Sequence, residues 1–281
     1  MPKNIEKQTG SLESTELPPF PPHWTTVDGE SVKERIEDVP RRLVVRKVDR
    51  EAGFVTPFHS HGWGQLLWIV EGLVQVSARD IGHWVVPPQR AVWIPPFIEH
   101  DARAIQSVKM RNIYIAPQAA GRLPEQCQVV SVSPLMRELM VTMAEFDRLY
   151  DEEGAEGRLV SVFLDQFELL PEAALYLPEP TSAPLRTLAE QLRQDPANKQ
   201  PLASWGRQLG MSERTLARRF QQETGMSFGQ WRQQARLLEA LSRIAQGQPV
   251  ALIAQDLGYD SQSAFIAMFR KALGRTPGRY F

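Results

Sequence analysis

Cysteine is nearly missing: one residue, Cys127, stands among 281. That excludes an internal disulfide framework and fits a reducing compartment. Nothing in the sequence around Cys127 suggests a nucleophile, so it is expected to be a packed thiol. No apolar run approaches the roughly 18 residues of a membrane span. The opening stretch, with Lys3, Glu6, Lys7, Glu13 and Glu16, lacks the apolar segment of a secretory leader, so a cytoplasmic protein off the membrane is expected. A Gly-rich phosphate loop, a Cys-x-x-Cys zinc pair and a paired-carboxylate motif are also lacking. No separate nucleophile–base constellation replaces them, and the expectation is that the chain is not an enzyme. What is present is ordinary globular material, 42% hydrophobic and 23% charged. It suffices for two domains of roughly 100–200 residues each.

The net charge of −1 hides an asymmetry. Residues 1–182 carry 18 Lys+Arg against 26 Asp+Glu, whereas residues 183–281 carry 14 against 7. A basic segment joined to an acidic one suggests a nucleic-acid-binding part beside a part with another task. Composition alone does not decide this, since solvated surfaces also vary.

Local patterning divides the chain. Residues 1–35 are polar and Pro-rich and read as an arm. Residues 36–132 hold short β-branched and aromatic runs punctuated by Gly, Pro and Asp, the pattern of a small sandwich or barrel. Ser133-Pro134 then offers a helix N-cap and a first-turn proline. Leu135, Leu139, Met143, Phe146 and Leu149 follow at helical spacing, and a second amphipathic run spans Leu159 to Leu170. This predicts a helical hairpin over 133–176. Its apolar stripe serves either packing on the barrel or a homodimer seam, because a stripe alone does not name its partner. Residues 177–184, with three prolines, read as a stiff linker. Residues 185–281 read as helices.

The same unit occurs twice in this last segment. Leu209-Gly210 aligns with Leu257-Gly258. Beyond the turn, Ser212, Leu216, Phe220, Gly225 and Trp231 align with Ser261, Phe265, Phe269, Gly274 and Tyr280. Each unit is a short helix, a Gly turn and a second helix opening at a Ser N-cap. Leu216/Phe220 and Phe265/Phe269, four apart, pin each second helix and leave its other face free. That is the layout of a helix-turn-helix, whose second helix enters the DNA major groove. A long helix over about 228–246 joins the two units. A repeat-based all-α structural domain is the competing reading.

From these residues the segment resembles the DNA-binding domain of AraC/XylS-family bacterial transcription regulators. The most specific stretch runs from Ile253 through Leu257-Gly258-Tyr259 and Ser261 to Phe265, continued by Phe269, Leu273-Gly274 and Thr276-Pro277-Gly278-Arg279-Tyr280. The resemblance implies two helix-turn-helices held by one connecting helix and inserted into neighbouring major grooves of double-stranded DNA, about 34 Å apart. The first recognition helix would offer Ser212, Glu213, Arg214, Thr215, Arg218 and, at its flank, Arg219. Arginine pairs bidentately with guanine, so this unit is expected to supply most base specificity. The second would offer Ser261, Gln262, Ser263, Ile266 and Ala267, with Arg270, Lys271 and Arg275 gripping phosphate. Arg186, Arg193 and Arg243 read as solvated charges.

In the β-rich part, His59, His61, Gln65 and, further on, His100 form a pattern that resembles the two motifs of the cupin fold. Two histidines at i, i+2 on a strand share a face, here the barrel interior. The fold implied is α+β in two domains. The first is a cupin-like double-stranded β-barrel with a helical hairpin, and the second is an all-α domain of two helix-turn-helix units joined by a long helix. Gln65 stands at the cupin metal-glutamate position and Phe97 replaces a glycine before the last histidine, departures that weaken the metal reading. His59, His61, Gln65 and His100 can hold a divalent first-row metal. Alternatively they hydrogen-bond a small-molecule effector without metal, with Trp63, Trp68 and Trp93 as apolar wall, or they are satisfied barrel polars. His23 and His83 read as surface histidines.

The resulting expectation is an effector-responsive transcription regulator, contacting RNA polymerase if it is an activator. An effector works only by binding one arrangement more tightly than the other. The alternative is a metal-dependent cupin enzyme with an appended DNA-binding domain, against which Gln65 argues.

Overall fold

The computed structural model describes residues 36–280 apart from Ala174 (backbone alone at Glu37), together with the backbone of two two-residue strands, β1 (Thr26–Val27) and β2 (Glu30–Ser31). Residues 1–34 form one unit and 35–281 another. Apart from β1 and β2, the expected arm over 1–35, with His23, lies outside the described residues.

Turn residues cut the β-rich part into β3 (Leu43–Arg50), β4 (Val55–His59), β5 (Gly64–Glu71), β6 (Val74–Ala78), β7 (Gly82–Val86), β8 (Arg90–Ile94), β9 (His100–Ala104), β10 (Val108–Ile115) and β11 (Gln128–Ser131). The strand β12 (Tyr176–Pro178) returns later in the chain. They pair antiparallel into two five-stranded sheets, ordered β11-β8-β5-β10-β3 and β12-β7-β6-β9-β4. Alternation separates two faces on the first sheet. Leu67, Ile69, Val92, Ile94 and Met110 turn into the core shared with Val74, Val76 and Trp84 of the second sheet. Leu66, Trp68, Ala91, Trp93, Ile113 and Ile115 turn the other way, onto a helical hairpin.

That hairpin is α1 (Pro134–Met143) and α2 (Ala155–Phe167). Ser133 caps α1 by accepting from the Met136 amide, with Pro134 at the first helical position, where its missing N–H costs nothing. Met136, Met140, Val160 and Phe163 bury fully against the sheet.

The segment 177–184 is not a free linker. Leu177 and Pro178 belong to β12, which extends the second sheet by pairing Tyr176 with Trp84 and Pro178 with Gly82. Pro178 suits this place, because an edge strand needs fewer amide donors than a central one. Helices follow directly: α3 (Ala183–Gln194), α4 (Leu202–Gln208), α5 (Glu213–Thr224), α6 (Phe228–Ala245), α7 (Val250–Asp256) and α8 (Gln262–Leu273). Their apolar faces continue the core of the second sheet without a break, Leu185, Trp231, Leu241 and Phe269 lying in the same cluster as Trp84 and Val86. The chain is two domains by fold and one body, over 35–281, by packing.

Candidate functional sites: two exposed helices and a histidine cluster

The duplicated unit folds as two helix-turn-helices. In each, a glycine turns left-handed after the first helix, Gly210 at φ +65° and Gly258 at φ +75°. Ser212 Oγ then accepts from the Thr215 amide and Ser261 Oγ from the Ala264 amide. Leu216 and Phe220 pin α5 at 0% exposure, and Phe265 and Phe269 pin α8 likewise. The opposite faces stay open. On α5, Ser212, Glu213, Arg214 and Arg218 are exposed and Thr215 is half-buried. On α8, Gln262, Ser263, Ala267, Arg270 and Lys271 are exposed, as is Arg275 just beyond it.

Two positions differ from expectation. Ile266 is half-buried and packs on the core, so only part of it is available to a ligand. Arg219 leans on Glu223 at 3.6 Å, drawn off the open face by a carboxylate one turn away.

The loop of residues 195–200 bridges the two units. Arg236 Nε donates to Pro196 O at 2.7 Å, and Arg232 donates to Asn198 O. These bonds hold the loop to α6. Lys199 meets Asp260 at 2.7 Å, one residue before the α8 cap. A Cβ on Gly258 would lie 2.9 Å from Ala197 O, so only glycine allows this approach. Sequence reading missed this clamp, since nothing in Arg232 or Arg236 distinguishes them from solvated charges.

In the barrel, His59, His61 and His100 do come together. Ring centroids of His59 and His100 are 4.4 Å apart, and His61 lies 5.2 Å from His100. One ligand atom from each lies within 4.8 Å of the others. Strand alternation is not the cause. β4 ends at His59, which pairs with His100 across a bulge, and His61 sits in the following connection. Backbone carbonyls orient the rings instead: the Nδ1 atoms meet Pro57 O at 2.9 Å, Trp63 O at 2.5 Å and Ile98 O at 2.8 Å. A carbonyl only accepts, so in the neutral rings of His59 and His100 Nδ1 carries the hydrogen and Nε2 keeps its lone pair. Gln65 Oε1 sits 2.9 Å from His61 Nε2, so His61 has an oxygen at each ring nitrogen and donates to one or the other according to its tautomer. Burial lowers the pKa of His59 and, further, of His100, and the neighbouring imidazoles add to both shifts.

The tryptophans are placed otherwise than expected. Trp93 packs edge-on against Phe167 at 5.2 Å and donates Nε1–H to Pro124 O at 2.7 Å. With Trp68 it lies on the hairpin side of the first sheet, so neither lines the histidine cluster. Trp63 is buried and contributes its carbonyl to His61. Two residues not foreseen do face inward. Tyr114 pairs with Gln65, and its ring lies 5.5 Å from His61. Asn112, 1% exposed, follows on the same face two residues before. The two-residue period through Met110 was the available signal.

Of the charges expected to be solvated, Arg186 and Arg193 tie the helices to the β-rich domain, and Arg243 pairs within the helices. Glu179, just after β12, receives Arg193 at 2.5 Å and His83 at 3.4 Å. Burial works against this carboxylate, but hydrogen bonds from His83 and Arg193 outweigh it and hold its pKa below the ordinary value. Arg186 reaches Asp80 at 2.5 Å, and Arg243 pairs with Asp256 at 2.9 Å. Trp231 Nε1 donates to Pro178 O, and Glu223 at the end of α5 accepts from the Ser182 amide, both at 2.8 Å. Among the described residues, no helix is long and apolar enough to cross a membrane.

A pair of tethered helix-turn-helices carried on a β-rich, histidine-bearing domain defines a DNA-binding regulator with a ligand-binding part. Comparisons with known proteins agree. Residues 205–281 match the helix-turn-helix domain family and residues 44–163 the AraC-like ligand binding domain family. The HTH-type transcriptional regulator NimR of Escherichia coli (strain K12) is 39% identical over 225 residues, 80% of this chain and 82% of that protein. The arabinose operon regulatory protein of the same organism is 22% identical over 207 residues, covering 72% and 68%. The chain belongs to the AraC family of transcriptional regulators.

Proposed function

We propose that this regulator reads two adjacent major grooves of one duplex, with Arg214 and Arg218 of α5 selecting bases and α8 making fewer base contacts through Gln262, Ser263 and Ala267. The observation that carries this is the open face of α5, where both guanidinium groups stand clear of the core while Phe220 anchors the helix behind them. Binding of Arg214→Ala to operator variants changed at single base pairs tests it. A loss concentrated at one position is expected, and a loss uniform across all variants would reduce Arg214 to a phosphate contact.

We further propose that the β-rich domain senses through a divalent first-row metal held by His59, His61 and His100, with Gln65 Oε1, already beside His61 Nε2, as the fourth oxygen or nitrogen ligand. Three imidazoles, each with Nδ1 on a backbone carbonyl, show the usual outer arrangement of metal-binding histidines. Among the described residues the cluster of candidate ligands holds no carboxylate, Asp101 acting on His59 only through space, which leaves the ion net positive charge and suits it to an anionic or oxygen-rich effector. The metal content of the purified full chain, against His100→Ala, decides this. Stoichiometric metal lost in the variant supports it. Full occupancy retained in the variant, or none in the parent, returns the site to a metal-free effector pocket.

The chain is read as a cytoplasmic regulator and not an enzyme. The hairpin is read as the seam of a homodimer, since Leu135, Val141, Val162 and Leu169 stay exposed on it. Contact with RNA polymerase follows if it activates transcription.

A further inference from the structure

The face that the first sheet turns toward the second is apolar at one end and polar at the other. On β10, Met110 joins the shared core, and Asn112 and Tyr114 follow at a two-residue period, 1% and 0% exposed. Across the ladders Asn112 stands opposite Arg46 of β3 and Leu67 of β5, and Tyr114 stands opposite Gln65. Directly paired residues of antiparallel strands share a face, so Arg46 projects onto the same inner face. Val45 and Lys47 point the other way, to the hairpin side and to Glu145. The Arg46 guanidinium carbon lies 6.0 Å from the Tyr114 ring centroid, and that ring lies 5.5 Å from His61. Asn112 Oδ1 is buried and has no hydrogen-bond partner among the described residues. Buried polar atoms are nearly always paired, and an acceptor left unmade weakens a fold. Leucine has a similar volume and would pack beside Leu67 and Met110 without that cost. Folding does not account for an unpaired amide oxygen beside an inward arginine and a phenol ring.

We propose that Arg46, Asn112 and Tyr114 recognise the effector and that the effector is a hydroxy acid. Its carboxylate pairs with the Arg46 fork, its hydroxyl donates to Asn112 Oδ1, and its carbon skeleton lies on the Tyr114 ring. The carboxylate goes to Arg46 because a planar guanidinium offers two parallel donors to a planar anion. The hydroxyl goes to Asn112 because the unpaired atom is an acceptor, which an ionised carboxylate cannot serve. The aromatic face supplies apolar contact between the two polar anchors. This assignment deepens the reading of the β-rich domain as the sensing part and rests on it. It does not run through the metal, since none of the three contacts involves His59, His61 or His100.

The full chain is melted with lactate and with para-hydroxybenzoate at equal ionic strength. Each is set beside its analogue without the hydroxyl, propionate or benzoate, and beside its uncharged amide. Affinities follow from the dependence of melting temperature on ligand concentration. At least one hydroxy acid should stabilise the parent more than both of its analogues. Arg46→Gln should weaken that acid on the order of 10–100-fold. Arg46→Lys keeps the charge but loses the fork, and should recover only part of the loss. Arg103→Ala, at an exposed arginine of β9, controls for net charge and should change nothing. Asn112→Leu separates a ligand contact from a structural one. Its free chain should melt no lower than the parent, while the preference for the hydroxy acid over its deoxy analogue, about 3–10-fold, disappears. A free chain that melts lower, or a preference left intact, overturns the proposal. So does a parent that no hydroxy acid stabilises, or an Arg46→Gln chain that binds as the parent does. Repeating the melts after chelator treatment separates the site from the metal. Binding that survives and still needs Arg46 supports it, whereas binding that is lost on chelation and indifferent to Arg46 puts the anion on the metal and overturns it. An acid held through Arg46 that leaves operator affinity unchanged would keep the site and remove the sensor reading.

Discussion

The two helix-turn-helix units share a skeleton and differ in what they show to DNA. Both open at a serine cap, both turn through a left-handed glycine, and both bury two large apolar side chains four residues apart. On that common frame α5 exposes Glu213, Arg214 and Arg218, and α8 exposes Gln262, Ser263 and Ala267 before its basic end. The difference teaches that duplication preserves what packing requires and leaves the outward positions free to diverge. Under the proposed reading it also separates tasks: the unit with long cationic forks would discriminate bases, and the unit with short side chains would fit the groove and hold the backbone.

The strongest way to break this comparison is to remove the shared part. Phe220→Ala and Phe269→Ala each empty a fully buried site, and each is expected to cost about 3–5 kcal/mol. Denaturant unfolding should show similar losses for the two. Next come the outward positions. Arg214→Ala is expected to lose about 1–3 kcal/mol of discrimination at one base pair, measured as a ratio of dissociation constants, while Ala267→Ser should change specificity far less. Equal effects would erase the division of tasks. The caps come third: Ser212→Ala and Ser261→Ala should each cost about 1 kcal/mol, read as a drop in melting temperature.

The smallest effect concerns an asymmetry toward the barrel. Glu223, in the last turn of α5, receives the Ser182 amide, and Glu179 binds Arg193 and His83. Burial opposes both carboxylates, but hydrogen bonding from Ser182 to Glu223, and from His83 and Arg193 to Glu179, leaves both pKa values below the ordinary 4.5. A depressed folded pKa stabilises at pH above the unfolded value, and that stabilisation is lost as pH falls through the folded one. Stability should therefore hold down to about pH 4.5 and fall below it, less steeply in Glu179→Gln. A variant curve parallel to the parent's would remove Glu179 from the junction's energetics.

Much of this was legible before any coordinates. The strand-rich region, the helical hairpin and the twin units all rest on local rules of alternation, capping and turn chemistry, and those rules act within a few residues. What was not legible depends on contacts across long stretches of chain. Residues 177–184 look like a spacer because their prolines forbid helix, and nothing local reveals that Tyr176–Pro178 finds the edge of β7. Trp93 looks like a pocket wall until the side of the sheet covered by α2 is known. The histidines were read as strand neighbours, yet carbonyls of Pro57, Trp63 and Ile98 aim them. Asn112 and Tyr114 followed a period that was visible in β10 and went unused. Arg193, Arg186 and His83 are ordinary in sequence, and only tertiary packing gives them partners.

The loop at residues 195–200, fastened by Arg232 and Arg236 on one side and by Asp260 and Gly258 on the other, has a consequence for the genome rather than for the protein. If that bridge holds the two recognition helices in one relative orientation, their half-sites need a set phase. Each inserted base pair rotates one half-site by about 35° relative to the other, and a stiff domain has no give with which to follow. Target promoters should accordingly tolerate substitutions between the half-sites and reject single-nucleotide insertions there.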